Sequence, residues 1–193
     1  HNQRLPAGGA RLVAAMRYAA MTPGKRLRPF LVICSSEVFD VARPQAIRVA
    51  AAMECIHCYS LIHDDLPAMD DDDLRRGMPT VHKQFDDATA ILAGDALLTL
   101  AFEILADPDT HPDGAVRASL CAAFAKAAGY RGMVGGQMMD IMAETSVPDI
   151  NEIAHMQQLK TGALLAASAE AGAILGRAEW EHRENLKAYG RCL

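Results

Sequence analysis

A near-continuous run of helix-forming residues constrains this chain more than any other feature. From residue 9 onward the sequence is rich in Ala, Leu, Met and Glu, and no segment alternates between polar and β-branched residues. Residues of the first kind favour helices, whereas alternation is typical of strands. We therefore expect an all-α fold. The predicted helices cover residues 9–21, 28–40, 44–66, 87–106, 114–129, 132–143, 150–175 and 178–193.

The chain is long enough for one globular domain with a sizeable core. It has 193 residues, of which 51% are hydrophobic and 22% are charged, and it contains no repeat and no low-complexity linker. We expect a single helical domain over residues 1–193. The last segment, "RENLKAYGRCL", is helical in pattern up to Leu193, and the first residues, "HNQRLPAGG", lead straight into a helix with nothing before it to pack on. These features predict a domain truncated at both ends.

The negative charge of the chain is local. Six aspartates between Asp64 and Asp73 contribute −6 to a net charge of −5, so that the remaining sequence sums to +1. This distribution does not suggest a nucleic-acid-binding protein. The longest apolar stretch is interrupted by Asp95 and Glu103, which argues against a membrane span.

The cysteine pattern indicates a reducing compartment. There are five cysteines, an odd number without framework spacing, and we expect a cytoplasmic protein. Cys55 and Cys58 form a C-x-x-C motif, which can bind zinc, but no second Cys or His pair accompanies it. We interpret these two cysteines as small apolar residues on a helix.

The segment "IHDDLPAMDDDDLRRGMPT" indicates a site for a hard cation. Clustered carboxylates suit Mg²⁺ when water and substrate phosphate complete the ligand set. Asp64 and Asp70 are six residues apart and do not share a helix face, but a kink at Pro67 would bring Asp70 round to face Asp64. We expect residues 71–73 to form a solvated end.

Three other interpretations of this segment were considered. A calcium EF-hand loop needs alternating acidic positions, a Gly and a distant Glu, and this order is absent. A phosphohydrolase could use His57, His63 and Asp64 as transition-metal ligands, but the adjacent arginines would then have no role. A solvated charged helix end is the default for an isolated acidic run, and the basic neighbours weaken it.

Two basic clusters flank the acidic segment. Lys25, Arg26 and Arg28 follow a Pro-Gly turn, and Arg75 and Arg76 follow the aspartates. Arginine binds phosphate as a bidentate fork and lysine binds it as a point charge. The pattern suggests two phosphorylated groups, one bound through metal and one bound by Lys and Arg alone.

The sequence resembles the trans-type polyprenyl diphosphate synthases. "DDLPAMDDDDLRRG" is similar to their first aspartate-rich motif, in the form typical of bacterial farnesyl diphosphate synthases. The blocks "GKRLRP", "ECIHCYSLIHDD", "ILAGDALLTLAFEIL", "GGQMMD" and "LKTGALL" match in the same order. The family's second aspartate-rich motif should begin shortly after Leu193.

The resemblance implies a helical bundle around a central cavity and a homodimer. It implies a prenyltransferase that joins isopentenyl diphosphate to dimethylallyl or geranyl diphosphate, head to tail, and gives farnesyl diphosphate with Mg²⁺. A geranylgeranyl or longer-chain synthase is the alternative, and a non-catalytic partner subunit is a more distant one. A terpene cyclase would need more aromatic residues than the 5% present and would leave "GKRLRP" without a second diphosphate.

The resemblance also implies roles for individual residues. Mg²⁺ would be bound by Asp64 and Asp70. The allylic diphosphate would contact Arg75, and isopentenyl diphosphate would be held by Lys25, Arg28, His57 and Arg76. The residues beside the allylic carbon would be Lys160 and Thr161, with Gln137 nearby and a backbone carbonyl freed by a helix break at Gly162. The length of the product would be limited by Tyr59, with Ser60 beside it.

Overall fold

The computed structural model of the protein describes residues 7–145 and 148–193. The described residues are mostly helical, and the predicted all-α class is confirmed. The α-helices are α1 (Ala7–Met21), α2 (Leu27–Val38), α3 (Arg43–Asp64), α4 (Val81–Gln84), α5 (Asp87–Ala106), α6 (Gly114–Ala128), α7 (Met133–Ala143), α8 (Ile150–Gln157), α9 (Ala163–Leu175) and α10 (Trp180–Arg191).

One predicted helix is not a single α-helix. The segment predicted as 150–175 consists of α8, a π-helix at Gln158–Gly162 and α9. Helix α8 begins with a capping box, in which the Asp149 side chain accepts from the Glu152 amide and the Glu152 side chain accepts from the Asp149 amide. The sequence correctly located this helix start but gave no sign of the change to i→i+5 hydrogen bonding.

The structure contains a short β-hairpin that was not predicted from the sequence. Strands β1 (Leu74–Arg75) and β2 (Met78–Pro79) are antiparallel, and Arg75 is paired with Met78. The two residues between the strands have positive φ angles, 54° at Arg76 and 79° at Gly77, as the tight turns favoured in hairpins require. Strands of two residues are too short to produce an alternating pattern.

The chain divides into two compact units. The first combines the residues up to Lys25 with Glu54–Ala101, and the second combines Arg26–Met53 with Phe102–Leu193. The single domain predicted for residues 1–193 stays a prediction. The predicted site residues are distributed over both units.

In the first unit, the amino-terminal helix packs against the segment that follows the hairpin. Tyr18 of α1 donates a hydrogen bond to the Pro79 carbonyl (2.7 Å), and its ring meets Phe85 edge to face. The core of this unit includes Ile56 and Ile62 of α3, which are almost fully buried. These contacts fix the end of α3, from which the acidic segment begins.

In the second unit, α9 is the central helix. Every residue from Leu164 to Leu175 is buried, and the helix packs against α2, α6 and α10. Its many alanines allow neighbouring helices to approach closely, and its burial fixes the position of the π-helix that precedes it.

Helix α5 is long and apolar enough to cross a membrane by length and composition alone. A core helix of a soluble protein passes the same test, so this is weak evidence. The absence of a membrane span therefore stays a prediction.

Candidate active site

The acidic segment is a compact turn at the carboxyl end of α3. Helix α3 ends at Asp64, and the chain then reverses, so that the Asp70 amide donates to the Asp64 carbonyl (2.9 Å) and the Asp71 amide donates to the Leu66 carbonyl (3.1 Å). The predicted kink in a continuing helix is therefore wrong, because the helix stops before Pro67. The backbones of Asp64 and Asp70 nevertheless lie next to each other, although the residues are six apart.

The donor set of this turn fits a magnesium ion that shares its ligands with substrate. Asp64 is half-buried, and Asp70 is exposed. Within residues 7–145 and 148–193, no three His, Cys, Asp or Glu side chains are grouped as an all-protein metal site. Magnesium is commonly held by one or two carboxylates together with water and substrate phosphate, and two adjacent aspartates match that chemistry.

The second aspartate of the segment binds an arginine. Asp65 is almost completely buried, and its Oδ1 lies 2.5 Å from both Nε and Nη2 of Arg75. Burial raises the pKa of Asp65 above its usual value, although the bond to Arg75 opposes this shift. Asp72 is the second carboxylate near Arg75, at 3.5 Å from Nη2. The guanidinium of Arg75 is therefore held among carboxylates beside the acidic turn.

The neighbouring arginine makes different contacts. Arg76 is exposed at the hairpin turn, and its Nη1 donates to the Pro23 carbonyl (2.8 Å). A Cβ atom at Gly24 would be 1.9 Å from Nη1 of Arg76, so that only glycine leaves room for the guanidinium there. Arg76 therefore lies over the Pro-Gly turn, one residue before the exposed Lys25. Both residues were predicted to hold isopentenyl diphosphate.

Helix α3 carries three further predicted residues in the first unit. His57 and Ser60 are half-buried, and the Ser60 hydroxyl donates to the His57 carbonyl (2.8 Å). Tyr59 is 7% exposed, its ring meets His63 edge to face, and burial raises the pKa of its hydroxyl. A buried aromatic ring at this position is consistent with the predicted limit on the length of the product.

The second unit contains the other four predicted residues. Lys160 and Thr161 lie inside the π-helix, and the Lys160 ammonium pairs with Asp140 of α7 at 2.5 Å. Gln137 is half-buried on α7, and Arg28 is half-buried on α2. Segments of π-helix are rare and are found frequently at functional sites.

The π-helix corrects one prediction. Gly162 has helical backbone angles, φ −65° and ψ −34°, so the expected break at this residue does not occur. Helix α7 packs tightly on the π-helix, because a Cβ at Gly136 would be 2.3 Å from the Lys160 amide nitrogen. The "GGQMMD" block therefore supplies both the close approach and the partner of Lys160.

Comparisons with known proteins identify the family of the chain. Residues 10–193 match the family model described as Polyprenyl synthetase. The chain belongs to the polyprenyl synthetase family. It is 50% identical over 171 residues to farnesyl diphosphate synthase of Escherichia coli, an alignment that covers 88% of this chain and 57% of that protein. It therefore spans little more than half the length of that relative.

Other members of the polyprenyl synthetase family are similar over most of this chain. Geranylgeranyl pyrophosphate synthase 11 of Arabidopsis thaliana is 44% identical, with 93% of this chain and 51% of that protein covered. Among solved structures, an FPP/GFPP synthase from Zymomonas mobilis superposes with a TM-score of 0.94 at 57% identity, covering 97% of this chain and 69% of that one. The chain therefore has the same fold as the corresponding part of that solved structure.

Several buried or charged contacts were not predicted from the sequence. Asp65 is one of six clustered aspartates and Asp140 is a single aspartate on a helix, and neither position shows in the sequence that its partner comes from another segment. Thr80, the last residue of the quoted acidic segment, binds the Asp72 carbonyl, and His82 binds the Thr80 hydroxyl, but neither residue stands at a recognisable spacing. Buried Glu170 of α9, which binds Arg183 at 2.8 Å, looked like an ordinary helix residue.

The transition-metal and zinc interpretations gain no support from the described residues. Nε2 of His63 donates to the Ile91 carbonyl (3.0 Å), so that this nitrogen is engaged within the protein. All five cysteines are free, and burial raises the pKa of Cys55 to about 11. A thiol of that pKa is a poor metal ligand at neutral pH, since the thiolate is the binding form.

Proposed function

We propose that the protein containing this chain is a Mg²⁺-dependent prenyl diphosphate synthase that makes farnesyl diphosphate. Its substrates would be isopentenyl diphosphate and dimethylallyl or geranyl diphosphate, joined head to tail. Membership of the polyprenyl synthetase family and the 50% identity to a farnesyl diphosphate synthase support this proposal. Because the chain spans 57% of that relative, the activity is proposed for the whole protein.

The observation that carries the proposal is the turn that joins Asp64 to Asp70. The Asp70 amide bonds the Asp64 carbonyl, and the hairpin with Arg75 and Arg76 begins four residues later. Two carboxylates and a fixed guanidinium suit a diphosphate that arrives with its cation. When bound at Asp64 and Asp70, Mg²⁺ would act as a Lewis acid that stabilises the departing diphosphate.

Side chains of the protein would bind the two substrates and stabilise the charges that develop during the reaction. Arg75 would bind the allylic diphosphate as a fixed positive charge that favours the leaving anion. Lys25, Arg28, His57 and Arg76 would hold isopentenyl diphosphate so that its double bond faces the allylic carbon. Departure of the diphosphate would leave an allylic carbocation. This cation needs partial negative charge nearby and no nucleophile that could react with it. The Thr161 hydroxyl and the π-helix carbonyls would provide it, with Gln137 nearby and the Lys160 ammonium held by Asp140.

A longer product is the second candidate. Geranylgeranyl pyrophosphate synthases are among the similar proteins, and a similar solved structure is titled an FPP/GFPP synthase. Tyr59 favours the fifteen-carbon product, because a buried aromatic five residues before Asp64 would stop the growing chain early. Ser60, which lies beside it, is too small to do so alone.

The assembly and compartment are also proposals. A homodimer follows from the family resemblance, and α5 exposes Ile91 and Leu92, which are 45% and 56% accessible. A cytoplasmic location is consistent with five free cysteines. Size-exclusion chromatography with light scattering on the full-length protein would measure the assembly directly.

The decisive experiment removes the two metal-binding carboxylates one at a time. We expect Asp64→Ala and Asp70→Ala in the full-length protein to abolish condensation while circular dichroism remains unchanged, since neither side chain lies in the core. Asp71→Asn is the matched control, because position 71 is exposed and its positive φ of 50° is well tolerated by asparagine. Near wild-type rates in both alanine variants would contradict the metal assignment.

A further inference from the structure

The residue that begins α4 uses its side chain in an unusual way. Thr80 is the N-cap of α4 and is 2% exposed, but its hydroxyl does not cap the helix. The hydroxyl donates instead to the Asp72 carbonyl (2.8 Å), and the Thr80 amide donates to the Asp73 carbonyl (3.0 Å). A threonine N-cap normally accepts a hydrogen bond from its own helix. Here it binds the acidic segment.

A buried histidine completes this arrangement. His82 is 6% exposed, and its Nδ1 lies 3.1 Å from the Thr80 hydroxyl. The hydroxyl has a single proton, and the short bond to Asp72 uses it. His82 must therefore donate through Nδ1–H. Nε2 has no hydrogen-bond partner among the described residues.

The chain of donors ends on the segment that carries the aspartates. It runs from His82 to Thr80 and then to the carbonyl of Asp72, two residues after Asp70. Both carbonyls that Thr80 binds belong to residues whose side chains are at least half exposed, at 50% for Asp72 and 76% for Asp73. The side chains of Asp72 and Asp73 are therefore accessible to solvent, while the backbone carbonyls of the same two residues bind the buried Thr80.

We propose that Thr80 and His82 are positioning residues for the acidic segment. They hold the backbone of residues 72–73, so that Asp70 is presented to the metal and diphosphate in one geometry. This proposal rests on the proposed function, since it assumes that Asp70 is a ligand. Groups that orient metal ligands typically change metal affinity by about 10- to 100-fold when they are lost.

The chain offers an outer contact for comparison. Lys83 binds Asp73 at 2.8 Å, but both side chains are well exposed, at 44% and 76%. An exposed ion pair of this kind contributes little to stability and is screened by salt. Lys83→Gln is therefore a control that perturbs the same segment from the solvent side only.

The test compares substitutions that keep one nitrogen of His82 or the other. Asn places an N–H donor where Nδ1 lies, whereas Gln places one where Nε2 lies. In the full-length protein, we expect His82→Asn and Thr80→Ser to retain binding of inorganic diphosphate in the presence of Mg²⁺. His82→Gln, His82→Phe and Thr80→Val should each weaken it by about tenfold. Calorimetric titration with diphosphate and Mg²⁺ gives these affinities without turnover.

The outcomes separate the inference from the function on which it rests. If the wild type binds no diphosphate with Mg²⁺, the proposed function fails. If the wild type binds diphosphate with Mg²⁺, and Thr80→Val and His82→Gln bind it as tightly as the wild type does, the positioning role is wrong. Better binding by His82→Gln than by His82→Asn would overturn the assigned Nδ1–H donor and the donor chain. An unchanged KM for isopentenyl diphosphate would show that the loss is confined to the acidic segment. A general loss of stability would instead change the KM values for both substrates alike.

Discussion

The Arg76 guanidinium occupies the space that a side chain at position 24 would fill. A Cβ built on Gly24 would lie 1.9 Å from Nη1 of Arg76, and the same nitrogen donates to the Pro23 carbonyl at 2.8 Å. The Pro-Gly turn that precedes Lys25 and the hairpin that follows the aspartates are therefore in direct contact. The contact explains why a glycine precedes Lys25 in "TPGKRLRP".

We expect Gly24→Ala to displace Arg76 and to reduce affinity for isopentenyl diphosphate as much as Arg76→Ala does. The two changes should not be additive in the double variant, because they remove the same interaction. Gly8→Ala on α1 is the control, since no atom lies within 4 Å of a Cβ there. KM values of the full-length variants measure the effect, and full additivity would show that Gly24 acts independently of Arg76.

The two adjacent arginines should serve different substrates. Arg76→Ala and Lys25→Ala should raise the KM for isopentenyl diphosphate, and Arg75→Ala should mainly affect the allylic substrate. Loss of one charge-assisted contact costs about 1.5–3 kcal/mol, or about ten- to a hundredfold in affinity. Separate KM measurements for each substrate test this. Equal effects on both substrates from all three variants would count against two distinct diphosphate sites.

Tyr59→Ala should lengthen the product. Removing a buried ring five residues before Asp64 opens space for a longer chain, so that products of about twenty carbons or more are expected while condensation continues. Tyr59→Phe keeps the ring and should still give the fifteen-carbon product. Chromatography of the dephosphorylated products distinguishes the two outcomes. A fifteen-carbon product from Tyr59→Ala would mean that another wall sets the length.

The tight contact between α7 and the π-helix should be essential for turnover. A Cβ at position 136 would be 2.3 Å from the Lys160 amide nitrogen and 2.7 Å from its Cα, so Gly136→Ala must move the segment that carries Thr161. We expect kcat to fall by about a hundredfold, since small displacements of positioned groups have effects of this size. Gly162→Ala is the control, because its nearest neighbour is 3.9 Å away. Equal kcat values for the two variants would argue against a catalytic role for this segment.

Cys55 should react slowly with alkylating reagents at neutral pH. Burial, and to a smaller extent Glu54, raises its pKa from 9.0 to about 11. Its thiolate fraction at pH 8 is therefore about one in a thousand, and the thiolate is the reactive form. Since the folded pKa is raised, the contribution of this thiol to stability is constant below pH 9 and is lost as the pH rises towards 11. Mass spectrometry of iodoacetamide-treated protein, with urea-unfolded protein as the reference, gives the rate. Equal rates for Cys55 in the two samples would contradict the raised pKa.

The sequence by itself determined the fold class and indicated the chemistry that is proposed for the site. Helix formers, caps such as Asp149 with Glu152, and the types of residue near Asp64 act over a few positions, so their consequences can be read along the chain. The identities of the proposed metal and diphosphate groups belong to the same local information, since carboxylate and guanidinium chemistry do not depend on distant segments.

Only the tertiary structure decided how those groups are held. The end of α3 at Asp64, the return of Asp70 to it, and the π-helix around Lys160 replace the kink and the break that local rules predict. The partners that fix Arg75 and Arg76 come from Asp65 and from Pro23, at separations of 10 and 53 residues. Such contacts depend on the free energy of packing between segments that are distant in sequence, which neither residue type nor spacing records.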